Sequence, residues 1–96
     1  MTSSEILQTL KRIKPMLETR FDVEQIGLFG SVARNEVNDA SDIDVLVKLK
    51  DPSFLKLAGL LNYLESVFHK KVDITTDHKY LSPRFTKAIQ RDLIYA

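Results

Sequence analysis

The chain has 96 residues, 44% hydrophobic and 28% charged, with no cysteine and a formal net charge of +1. This mix predicts one compact α/β (α+β) domain over residues 1–96, and it excludes disulfide frameworks, thiolate metal sites and cysteine nucleophiles. So small a net charge gives no general drive toward nucleic acid, and the clusters Lys11, Arg12, Lys14 and His69, Lys70, Lys71 read as a solvated helix face and a loop.

Taken in chain order, Ile6, Leu7, Leu10, Ile13 and Leu17 fall at helical spacing and predict an amphipathic helix from Ser3 to about Arg20. Ser3 or Ser4 stands where an N-cap is needed, and Pro15 is expected to kink or split the helix. Charged residues interrupt this segment, so it lacks the apolar run of a signal peptide. No other stretch reaches the length of a membrane span, and a cytoplasmic location is the expectation.

Val23 to Phe29 is a β-branched and aromatic run closed by Gly30 and Ser31, which predicts a first strand ending in a turn, with a brief helix over 32–37. Ile43, Val45, Val47 and Leu49 then alternate with Asp42, Asp44, Leu46 and Lys48, the period of a strand with one buried face. From Ser53 to about His69 apolar residues recur at three- and four-residue steps, a second long helix with a serine placed to cap it. Lys71 to Thr75 is a third strand and Pro83 to Tyr95 a final helix with proline in its first turn. This order predicts a small mixed sheet of three to four strands flanked by helices.

The chemistry concentrates between Gly27 and Leu49. Residues i and i+2 of a strand share a side, so Asp42 and Asp44 project together, away from Ile43 and Val45. Two carboxylates in a cleft call for a cation, and oxygen donors without histidine or thiolate suit Mg²⁺ or Mn²⁺. Upstream, Gly30 lets backbone approach a ligand, Ser31 adds a hydroxyl, and a following helix start favours an anion. An anion site beside a cation site suits a metal-bound triphosphate. Asp73 lies between Val72 and Ile74, and if its strand neighbours the second, all three aspartates converge as two-metal chemistry requires.

GSVAR followed by SDIDVLV resembles the G-S, ten-residue gap, D-x-D signature of the DNA polymerase β nucleotidyltransferase superfamily, and the small size is similar to its minimal branch, the partners of HEPN-domain proteins. The resemblance implies a polymerase β-like fold in which Gly30, Ser31 and Arg34 hold the nucleotide, while Asp42, Asp44 and Asp73 are catalytic and bind two Mg²⁺ ions, with Mn²⁺ as a substitute. Many members carry glycine where this chain has Asn35. It also implies transfer of AMP from ATP to a hydroxyl, expected to be a tyrosine of a HEPN toxin, with no membrane and no extended nucleic-acid groove. Two alternatives stay open: an antitoxin that acts by binding alone, and a nucleotidyltransferase for a small molecule or an RNA end. A chain this short has little room for its own acceptor site, which favours a protein partner, with Leu60, Leu81 or Ile94 as candidate contacts. His69, His78, Tyr63, Tyr80 and Tyr95 show no ligand spacing and receive no role.

Overall fold

A computed structural model of the chain describes residues 1–36, 42–76 and 83–96. Helix α1 spans Ser3–Phe21 and is capped one residue earlier than the serines suggest: the Thr2 hydroxyl accepts from the Glu5 amide at 3.1 Å while the Glu5 carboxylate accepts from the Thr2 amide at 3.0 Å. Two orphan donors are thereby satisfied reciprocally. Pro15 neither splits nor ends the helix. Buried Ile6 and Leu10 before it, and Leu17 and Phe21 after it, tie both halves to one core. That anchoring outweighs the single backbone hydrogen bond the proline forfeits.

Strand β1 (Val23–Leu28) leads into α2 (Gly30–Ala33), which starts two residues earlier than expected and is a single turn; residue 37 lies outside the described residues. Strand β2 (Ile43–Leu49) buries Ile43, Val45 and Val47 completely, as its alternation predicts. Helix α3 (Phe54–Phe68) is capped by Ser53, whose hydroxyl accepts from the Lys56 amide, and ends on His69 in the left-handed conformation. It supplies the long crossover that a parallel strand pair needs. Strand β3 (Val72–Thr76) accordingly runs parallel to β2, and helix α4 covers Pro83–Asp92. His78, Tyr80 and Leu81 lie outside the described residues.

The last helix was expected to reach Tyr95, but it stops at Asp92 and Ile94–Tyr95 form β4, antiparallel to β1. Gly27 makes this pairing possible, because a Cβ there would stand 2.9 Å from the Ile94 carbonyl oxygen. The sheet order is β3-β2-β1-β4, a mixed four-stranded sheet. The core-directed residues of β1 and β2 meet α1 and α3, where Leu60, Leu64 and Phe68 are buried. Leu60, with no exposed surface, is thus unavailable to a partner, whereas Ile94 keeps 39% of its surface exposed. By strand alternation, Asp44, Leu46 and Lys48 turn to the opposite face of β2.

Candidate active site

The site grows from the end of β1. Phe29 is extended and its amide donates to the Asp44 carbonyl at 3.1 Å, which ties the strand end to β2. The chain then reverses through Gly30, whose φ of 71° lies in the left-handed region. A side chain at this position would also collide with the site itself, since a Cβ on Gly30 would lie 2.5 Å from Asp44 Oδ2. Both the conformation and the closeness of the carboxylate therefore demand glycine. Helix α2 is too short to gather a sizeable dipole, so its contribution to anion binding reduces to individual polar groups around Gly30 and Ser31.

The next non-glycine residue in the left-handed region is Asn35, with φ 60°. Asparagine tolerates that region better than most residues, and here its Oδ1 also accepts from the Ser3 amide at 3.1 Å, joining the turn to the start of α1. The backbone at position 35 thus itself asks for glycine or asparagine.

Parallel pairing sets Asp44 opposite Asp73, in register, as neighbouring strands require if the two carboxylates are to share a face. Burial pushes the Asp44 carboxyl above its usual range, the charges of Asp73 and Asp42 push it further, and Arg34 opposes them. Asp44 is half-buried; Asp42, just before β2, and Asp73 are exposed. A cavity of about 430 Å³ is lined by Gly30, Ser31, Arg34, Asp44 and Asp73. Five of the six residues singled out in the sequence therefore share one cleft. Asp42 is not part of its lining, although its charge reaches Asp44. Among the described residues, no three histidine or acidic side chains stand ready as a complete metal cage.

Sequence reasoning missed the remaining wall, formed by Phe29, Thr75, Ile89, Arg91 and Asp92. Thr75 was recoverable, since it lies two residues from Asp73 on the same strand face. Nothing in the pattern of α4 announces that its last turn returns to the Gly30 turn. There Arg34 donates from Nη1 to Asp92 Oδ2 at 2.5 Å and from Nε to Glu36 Oε2 at 3.2 Å. A second depression, of about 330 Å³, is mainly apolar, lined by Phe54, Leu57, Ala58, Leu61, Ile74 and Thr76, and shares Asp73 with the cleft.

Residues 10–96 match the nucleotidyltransferase domain family. The chain belongs to that family. This nucleotidyltransferase is 43% identical over 95 residues to a Methanocaldococcus jannaschii protein provisionally named a protein adenylyltransferase, covering 98% of this chain and 97% of that one. It is 36% identical to the protein adenylyltransferase MntA of Thermococcus cleftensis, over 99% and 96% of the two chains. Among solved structures, one provisionally assigned as a minimal nucleotidyltransferase superposes with a TM-score of 0.79 at 32% identity, covering 98% of this chain and 95% of that one. A complex of a tri-AMPylated Shewanella oneidensis HEPN toxin with an MNT antitoxin shares the fold, with a TM-score of 0.62 at 20% identity, over 93% and 70% of the chains. The four-stranded sheet and flanking helices are those of a minimal nucleotidyltransferase.

Proposed function

We propose that this nucleotidyltransferase transfers AMP from ATP to a hydroxyl, expected to be a tyrosine, on a HEPN-type toxin, and so acts as an antitoxin by modification. The observation that carries the reading is the meeting of Asp44 and Asp73, in register on parallel strands, with the Gly30-Ser31 turn and Arg34 around one cavity. The Thermococcus relative and the Shewanella complex support the nucleotide and the partner by analogy.

The donor set fits Mg²⁺: all ligand candidates are carboxylate oxygens, and the burial and mutual repulsion that raise Asp44 are relieved by a cation. Mg²⁺ is commonly held by one or two carboxylates together with substrate phosphates, which is consistent with an incomplete protein cage. Asp42, Asp44 and Asp73 would hold two Mg²⁺ ions, with Mn²⁺ as a substitute, and such ions supply charge stabilisation to the attacking and leaving oxygens. Gly30, Ser31 and Arg34 orient the triphosphate. Asp73 takes the proton of the acceptor hydroxyl as its oxygen bonds to the α-phosphorus and the bond to the β-phosphate breaks, releasing pyrophosphate. An acceptor segment resting in the apolar depression beside Asp73 would present its hydroxyl from the side away from Arg34.

The test is incubation with ATP labelled at the α-phosphate, Mg²⁺ and a HEPN protein encoded beside this chain. Label on the partner, absent with Asp42→Asn/Asp44→Asn, is the expected result. Neutralisation of the partner by the double variant, with no label transferred by wild type, would replace catalysis with simple binding.

A further inference from the structure

The wall formed by the last turn of α4 holds two guanidinium groups on one carboxylate. Asp92, whose side chain is only 8% exposed, accepts from Arg34 Nη1 at 2.5 Å through Oδ2. It also accepts from Arg91 Nε at 3.3 Å through Oδ1 and from Arg91 Nη2 at 3.4 Å through Oδ2. Arg91 is 71% exposed, so solvent was open to it, yet its head folds back onto its own neighbour and lines the cleft with Gly30, Ser31, Asp44 and Asp73.

Charge bookkeeping gives this contact a purpose. Arg34 faces two carboxylates, Glu36 and Asp92, and by itself brings no surplus positive charge to an anion. Of these groups Arg34, Arg91 and Asp92 line the cleft and Glu36 does not: with Arg91 that wall carries one surplus positive charge, and without it Arg34 and Asp92 only cancel, leaving nothing to draw in a triphosphate. Each guanidinium also keeps donors beyond those used on carboxylates, since Arg34 spends Nε and Nη1 while Arg91 spends Nε and Nη2.

We infer that Arg91 is a second phosphate-binding arginine of this cleft, and that Asp92 is the positioning residue that holds Arg34 and Arg91 side by side against the triphosphate. The inference rests on the nucleotidyl-transfer reading. It adds a wall on α4 that the GSVAR and SDIDVLV stretches do not contain.

Calorimetric titration of the full chain in Mg²⁺, with a non-hydrolysable ATP analogue and separately with AMP, tests it. Arg91→Ala is expected to weaken the analogue by roughly ten- to hundredfold, the scale of a lost charge-assisted hydrogen bond, while moving AMP by less than about threefold. Arg91→Lys should recover part of the loss, because it restores charge without the fork. Arg84→Ala, at the exposed first turn of α4, should change nothing. Asp92→Asn should weaken the analogue but not AMP, and Asp92→Glu should restore some of it; equal loss of both ligands with a lower Tm marks Asp92 as scaffolding and overturns its part. Wild-type binding that Arg91→Ala leaves unchanged overturns the role of Arg91 while the nucleotidyl-transfer reading stands. A wild type that binds no analogue overturns both.

Discussion

Asp44 carries the tension of the site. Its carboxyl is held above the usual range by burial and then by Asp73 and Asp42, so in the folded protein its charge is disfavoured. Below about pH 4, the ordinary carboxylate value, folded and unfolded forms are both protonated and the residue costs nothing. As pH rises through that value and the higher folded one, the penalty develops and persists at neutrality. Asp44→Asn is therefore expected to raise Tm near pH 7 in metal-free buffer, the gain fading as pH falls toward about 4, while nucleotidyl transfer is lost. Thermal melts of both proteins across pH in chelator check it; an equal or lower Tm for the variant at pH 7 would contradict the sign. The placement of Asp44 was legible from the sequence because a two-residue strand period turns it away from the buried Ile43 and Val45, whereas Asp42 falls before β2, where that period no longer applies, and stays outside the cleft lining. Asp73 was legible only conditionally. Its partnership depends on which strand lies beside β2, and neighbourhood in a sheet is a tertiary fact that one strand's own pattern does not contain.

At the level of elements, the periodic helices and the strands β1, β2 and β3 were readable almost to the residue, whereas the end of α4 and the strand β4 were not. The apolar spacing of α1 and α3 and the alternation of β2 set their type and nearly their bounds, since each buries a continuous stripe. Pro15 misled because local backbone chemistry argued for a break while the core on both sides of it argued for continuity. Its ring is exposed, so replacing it removes no packing. Pro15→Ala is expected to stabilise the protein by about 1–3 kcal/mol in urea unfolding, as an interior helix position gains a hydrogen bond and loses a clash. No gain would mean that the helix is already relaxed around the proline. Strand β4 was invisible for a different reason. Two residues carry no period, and Ile94–Tyr95 become a strand only because Gly27 leaves space on β1.

For the whole molecule, the cleft draws on residues from Phe29 to Asp92, supplied by the β1 end, α2, β2, β3 and α4. A ligand that bridges these elements should stabilise all of them at once. With Mg²⁺ and a non-hydrolysable ATP analogue at about a hundred times its Kd, the gain expected from mass action is about 2.7 kcal/mol. Hydrogen exchange should then slow in α4 and β3 as well as in β2; slowing confined to the Gly30 turn would show that the ligand does not engage the far wall. The mixed α/β fold and the Gly30-to-Asp44 half of the site were legible because their signals are local in sequence. The Arg91 and Asp92 half was not, because it depends on where a helix ends in space.

The register of β2 against β3 bears on how such a chain can change over generations. Asp44 and Asp73 share a face because the parallel register sets them directly opposite one another, and a shift of one residue in either strand would end that, since successive residues alternate sides. Losing or gaining one residue ahead of Asp73 in β3 would turn Asp73 off the face it shares with Asp44 and bring Ile74 onto it, breaking the carboxylate pair. A two-residue insertion or deletion would keep the aspartate on its face and merely slide it along the strand. Single insertions or deletions ahead of Asp73 are therefore expected to separate the two carboxylates, whereas changes of two residues keep them on one face of the sheet.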